Sequence, residues 1–209
     1  MIDWDSCVLW LDSKYFSESY WWDRSRYRNN GVIQGAKWKG NAFYFDGVND
    51  YVNCGNHESL HITDEITIEV WVNASTNTDW ARIVNKYYHS AQKGWNLIIS
   101  NDNKFLFEIW SPGGVKKNVK STTTAENTGW HYVVATYNKQ YLKIYIDGVQ
   151  EDSLLWSEPI VDNPENLTIG FDYHDGHYLN ATIRQVRIYN KALSGEEIKI
   201  LNIVNHRRW

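Results

Sequence analysis

The chain has little cysteine, no excess of positive charge and no long apolar run, and each shortage closes off a class of protein. Two cysteines, Cys7 and Cys54, are too few for the disulfide framework of a small secreted scaffold. They read as free buried thiols, with a bridge across a sandwich as the alternative. A formal net charge of -4 with 22% charged residues gives an ordinary surface without the cationic excess that phosphate backbones demand, so nucleic acid is excluded as a partner. No stretch approaches the roughly 20 apolar residues of a membrane-spanning helix, so membrane insertion is not expected. The first residues, MIDWDSCVLWLD, carry acids where a secretory leader needs a basic patch, and no signal peptide is read there. Delivery to a cell surface or extracellular space, favoured over the cytoplasm, would use another route, display on a virion by assembly being one, or a coding start upstream of this sequence. No internal repeat, linker or low-complexity segment interrupts the chain, which reads as one domain over 1–209. No Ser/His/Asp nucleophile motif or glycine-rich phosphate loop is present.

What is abundant is tryptophan and tyrosine, twelve and fourteen. Both pair a large apolar face with one hydrogen-bonding tip and serve cores and sugar-binding surfaces equally. Between Cys7 and Asn190 short β-branched and aromatic runs alternate with Asn, Asp, Gly and Ser clusters, which predicts many antiparallel strands and a β-sandwich. In YLKIYIDG, Leu142, Ile144 and Ile146 form a core face and Tyr141, Lys143 and Tyr145 a wetter one; Asp147-Gly148 then supplies a two-residue hairpin turn. The period changes in ALSGEEIKILNIVN. Ser194 and Glu197 form a capping box and Leu193 can staple against Ile198, predicting a short helix whose buried stripe is Ile198, Leu201 and Val204. The tail His206 to Trp209 is left open between fraying and docking. Sequons at Asn73, Asn166 and Asn180 matter only if the chain meets a glycosylation machinery.

Four segments in order, FDGVNDYVNCG, ITIEVWVNAS, GWHYVVATYNKQYLKIYIDGVQ and IRQVRIYNKALSGEEIKIL, resemble the laminin G-like, concanavalin A-like lectin/glucanase superfamily. The resemblance runs from about Cys7 to about Leu201, and WWDRSRYRNNGVIQGAKW is similar to a degenerate form of the family's opening loop. It implies an all-β, antiparallel jelly-roll β-sandwich with a short C-terminal helix, binding ligand through rim loops or a concave face. Relatives include carbohydrate-binding and adhesive modules, virion adhesins and true glycosidases, so sites must choose among functions.

Three candidate sites follow. The strand EITIE places Glu65 and Glu69 like the carboxylate ladder of laminarinase-type β-glucanases, but Thr67 stands where the middle aspartate belongs. A retaining glycosidase needs its carboxyls about 5–5.5 Å apart, and Thr67 cannot carry the tuning charge. The preferred reading is therefore a half-exposed strand, with Glu65, Thr67 and Glu69 on one face and Ile66, Ile68 and Val70 in the core. The resemblance also implies an edge Ca²⁺ held by Asp23, Asn29 or Asn30, and Asp46. Arg24, Arg28 and Arg184 weaken that attraction, and Arg24 or Arg184 paired with Asp46 is the alternative. Lastly, the loop-borne Tyr87, Tyr88, His89, Trp95, Trp110, Tyr173, His174, Asp175, His177 and Tyr178 mix flat rings with groups that bond sugar hydroxyls. His174 and His177 without a third ligand are a weak zinc signal. The function expected is a non-catalytic module for carbohydrate or a surface glycoconjugate. The alternatives are an interaction protein that docks a protein partner through exposed aromatics, and a degenerate glucanase.

Overall fold

The computed structural model describes residues 2–76 and 80–206. Strands dominate: β1 (Cys7–Phe16), β2 (Tyr20–Asp23), β3 (Gly31–Gln34), β4 (Lys37–Lys39), β5 (Ala42–Asp46), β6 (Tyr51–Asn53), β7 (Ile66–Ala74) and β8 (Ala81–Tyr88) come first. Then follow β9 (Lys93–Ile99), β10 (Lys104–Ser111), β11 (Val115–Thr124), β12 (His131–Tyr137), β13 (Tyr141–Ile146), β14 (Val149–Leu155), β15 (Thr168–Ile169) and β16 (Asn180–Tyr189). One α-helix, α1 (Gly195–His206), ends the described chain. Residues 207–209 of the tail, Trp209 included, lie outside the described residues.

Hydrogen bonding runs in the order β11-β10-β9-β8-β15-β6-β3-β2-β1-β16-β7-β12-β13-β14, with β5 against β16 and β4 against β5. The ladders are antiparallel throughout. The path curls into a sandwich whose two ends meet: Glu151 of β14 accepts from the Thr122 and Thr123 amides of β11 at 2.8 and 2.9 Å, and Asp152 from the Lys120 amide at 2.9 Å. Carboxylates on an edge strand also discourage pairing with a second chain.

The main core fills the space between the layers: Ile66, Ile68, Val70 and Val72 of β7 and Leu142, Ile144 and Ile146 of β13 lie side by side on one face, flanking β12, and share one cluster with Phe105, Phe107 and Ile109 of β10. Each such large side chain contributes about 1.5–3 kcal/mol when fully buried. At the β13–β14 turn Asp147 and Gly148 both have positive φ, 52° and 83°, as the hairpin requires.

A second, smaller core lies on the other face of β7, β12 and β16. It joins Trp71, Tyr132, Val134 and Tyr189 to Leu193, Ile198 and Leu201 of the C-terminal segment. Helix α1 opens with the expected capping box, since the Ser194 amide donates to Glu197 Oε2 at 2.9 Å and the Glu197 amide to Ser194 Oγ at 3.3 Å. Its buried stripe differs from the sequence expectation by one position. Val204 is exposed, and Asn205 is fully buried because Arg187 Nη2 reaches its Oδ1 at 3.5 Å.

Both cysteines are buried free thiols. Burial pushes Cys7 up to about 12, and burial followed by the Asp23 charge raises Cys54 further. Thiolates are the reactive form, so neither thiol should react with Ellman's reagent in the native protein at neutral pH, and both should react once it is unfolded in urea. Fast native labelling of either would show that its cover opens.

Candidate functional site

Glu65, Thr67 and Glu69 are the first residues to place, because they decide between catalysis and structure. The face they share is covered by the C-terminal segment, which corrects the half-exposed reading. Glu65 Oε2 accepts from the Ala192 amide at 3.1 Å, and Thr67 Oγ1 donates to the Lys191 carbonyl at 2.7 Å while accepting from the Leu193 amide at 2.9 Å. Glu69, 1% exposed, pairs with the equally buried Arg187 and accepts from the Tyr132 and Tyr189 hydroxyls. Burial and then Glu69 raise Tyr132 well above its ordinary range, so it stays a donor. Burial alone would lower Arg187, but Glu69, Tyr189 and Tyr132 hold it more firmly protonated than usual. The ladder thus anchors the turn into α1. Glu69 faces a packed second core and no groove, so it has no route to a glycosidic bond.

The calcium set does not fit either. Asp23 Oδ1 accepts from the Trp10 and Ser25 amides, both at 2.8 Å, and Oδ2 from Ser25 Oγ and the Asn29 amide at 2.7 and 2.6 Å. Its carboxylate is saturated by its own loop. Asn30 Oδ1 is taken by the Asp23 amide at 2.9 Å, and Asn29 donates its side-chain amide to the Val8 carbonyl at 2.8 Å. Asp46 caps its own turn at the Val48 amide, 2.9 Å away. Arg24 lies over the Tyr15 ring and Arg184 over Trp130, so the Asp46 pairing is not made by Arg24. Among the described residues no group of three or more His, Cys, Asp or Glu side chains is placed to hold a metal, the His174/His177 pair included.

The rim residues divide. Tyr87, His89, Trp110, Asp175 and His177 converge with Trp80, Arg82, Glu108 and Lys116 on a cavity of about 370 Å³. It lies on the outer face of β8, β10 and β11, beneath the loop 171–178. Tyr87 stacks on Trp110 with centroids 3.8 Å apart and planes 20° apart. Burial, then Asp175 and Glu108, push the Tyr87 hydroxyl up to about 12, so it is a proton donor at neutral pH. Trp95 is 1% exposed in the main core and offers no face to a ligand, because Gly94, not Trp95, opposes Trp110 on the outer side. Tyr88 and His174 turn elsewhere, 5.1 Å apart, with His174 Nε2 on Glu165 at 3.3 Å. Tyr173 and Tyr178 pack with Phe171, and Tyr173 accepts from Asn53 at 3.1 Å.

The cavity's charged side chains are held in ion pairs, with Arg82 shared by two carboxylates. Arg82, 5% exposed, donates to Asp172 at 3.0 Å and Asp175 at 3.2 Å; His89 Nδ1 meets Asp175 at 3.0 Å; Lys116 meets Glu108 at 2.8 Å. Beside them runs a polar row set by register, Asn85 opposite Asn96, Asn96 opposite Glu108, and Glu108 opposite Asn118. Directly opposed residues share a face. Asn85 and Asn96 are buried, and the Asn96 amide has no hydrogen-bond partner among the described residues. Trp80, bulky and with φ 62°, holds a left-handed backbone conformation at the cavity wall, the kind of strain that gathers at ligand sites.

Arg82, Glu108, Lys116 and Trp80 escaped the sequence reading. Alternation in KFLFEIW does place Glu108 on the face of Trp110, a signal that was available. Arg82 was hidden by a register shift between Arg82 and Val84, which turns Arg82 outward although Ile83 and Val84 both enter the core.

The curled sheet, the capped helix and the outer cavity can now be set beside known proteins. A sequence profile of the concanavalin A-like lectin/glucanases superfamily matches residues 46–199. The chain belongs to this superfamily. No curated protein matches the sequence. Among solved structures, the binding domain of Paraclostridial Mosquitocidal Protein 1 is similar with a TM-score of 0.78 at 18% identity, over 95% of this chain and 52% of that one. The ligand binding domain of botulinum neurotoxin serotype D, solved with N-acetylneuraminic acid, follows at 0.76 and 21%, over 96% and 51%. A botulinum neurotoxin type C structure, described as dependent on two ganglioside molecules for cell entry, gives 0.75 and 19%, over 96% and 51%. At these identities the likeness shows the concanavalin A-like fold. The chain spans about half the length of these neighbours.

Proposed function

We propose that the chain is a non-catalytic carbohydrate-binding module that takes an uncharged glycan in the cavity of Trp80, Arg82, Tyr87, Glu108, Trp110, Lys116 and Asp175. The observation that carries this reading is the ion pairing of its charged side chains: Arg82 and Lys116 are each held by carboxylates, so a neutral ligand finds fixed donors and acceptors and, among the described residues, no unpaired cation, beside an apolar wall. Sugars present apolar C–H faces and dense hydroxyls, and recognition needs both kinds of surface. Structures of similar fold solved with N-acetylneuraminic acid, or described with gangliosides, support carbohydrate as the ligand class.

A glycan array followed by calorimetric titration of its hits tests the reading. Glu108→Gln and Asp175→Asn should each weaken binding of an uncharged hit by about tenfold, or ~1.4 kcal/mol. The urea midpoint should barely move, because each carboxylate pairs with a partner that keeps other contacts or solvent. An array without hits, or full affinity in both variants, would sink it.

A further inference from the structure

A second cleft, of about 550 Å³, opens on the β1–β2 hairpin between Lys14, Tyr15, Phe16, Trp22, Arg24 and Arg28. Its electrostatics are the reverse of the cavity's. Asp23 also borders it, but that carboxylate is turned into its own loop and accepts four hydrogen bonds there. Neither Arg24 nor Arg28 forms an ion pair among the described residues; Arg28 Nη1 donates to the Asp23 carbonyl at 3.3 Å. The Arg24 guanidinium lies 3.7 Å from the Tyr15 ring centroid and 5.7 Å from that of Trp10. Ring stacking fixes the plane of the guanidinium and leaves its N–H edge open, the geometry that matches a carboxylate with two parallel hydrogen bonds.

The rings beside this fork are exposed. Tyr15 is 44% and Trp22 40% exposed, and Trp22 is held flat by stacking on Tyr20, centroids 5.1 Å apart and planes 19° apart. Arg28 has φ 56°, a left-handed conformation that glycine or asparagine adopts at less cost. A rigid flat ring next to an open guanidinium suits a pyranose that carries an acid: its C–H face lies on the ring and its carboxylate meets the fork.

We propose that this cleft binds a saccharide bearing a carboxylate, with Arg24 as the fork, Arg28 as the second cation and Trp22 as the stacking ring. The site is separate from the cavity, so the two readings stand or fall independently. The test is a titration of the ¹⁵N-labelled chain with N-acetylneuraminic acid and with D-glucuronic acid, each against its methyl ester, read at the indole N–H of Trp22. Each acid is expected to shift that signal, with the ester about tenfold or more weaker and Arg24→Ala weakened to the same degree. Arg24→Lys should recover only part of the loss, because an ammonium is a point charge and not a fork. Arg24 is exposed, so these variants keep the fold, and an unchanged urea midpoint verifies it. Equal binding of acid and ester, wild-type affinity in Arg24→Ala, or displacement of the sugar acid by equimolar inorganic phosphate would overturn the proposal.

Discussion

Glu69→Ala is expected to destabilise the fold by about 3–5 kcal/mol, the cost of leaving a buried charge without its partner. The charge left behind is Arg187, 1% exposed, which among the described residues keeps Asn205 and the aromatic rings packed over it. Tyr132 and Tyr189 lose their acceptor in the same step. Urea unfolding followed by tryptophan fluorescence measures the loss. Adding Arg187→Leu to Glu69→Ala should recover a large part of it, because removing both charges removes the unpaired ion. The single variant also separates anchoring from ligand binding: the folded fraction of Glu69→Ala should bind any glycan hit with wild-type affinity. A stable Glu69→Ala protein, or one that loses binding while folded, would refute the anchoring role assigned to this carboxylate.

The next largest effect is expected at Asp23. Asp23→Ala strands the Trp10, Ser25 and Asn29 amides that its carboxylate now accepts. A buried donor without a partner costs about 1–3 kcal/mol, so the loss should reach several kcal/mol and show as a lower melting temperature. Calcium is part of the same prediction. With the Asp23 oxygens occupied and the Asn30 oxygen held by the Asp23 amide, the wild-type protein should melt at the same temperature in millimolar calcium and in EDTA. A calcium-dependent rise in Tm would show that the loop rearranges to release these oxygens.

Much of the fold was legible in the sequence because the residues that build it act locally. Alternation in YLKIYI, the Asp147-Gly148 turn and the Ser194/Glu197 box each depend on neighbours within a few positions; the turn and the box stand as read, and the alternation does except at Tyr145, which the second core buries. The misreadings have a common cause in contacts between distant segments. Glu69 seemed to face solvent because its cover, the segment from Lys191 through α1, lies more than a hundred residues away. Val204 and Asn205 exchanged places for a related reason: the partner that draws Asn205 inward is Arg187 on β16. For the cavity, sequence found the right loops without resolving them. Nothing local told Trp95, a core ring, from Trp110, a cavity ring, because that depends on which face of β9 and β10 meets the opposite layer. The Arg24 cleft was read only as a spoiled metal loop, since the stacking of Arg24 on Tyr15 crosses the β1–β2 hairpin.

The most direct test of the binding role is to see where an uncharged glycan lands. In a ¹⁵N titration with a neutral array hit, shifts are expected at the indole N–H of Trp80 and Trp110 and at the amides of Arg82, Glu108, Lys116 and Asp175, saturating with the calorimetric affinity. Saturable shifts confined to other surfaces, with the Trp80 and Trp110 signals unmoved, would contradict it.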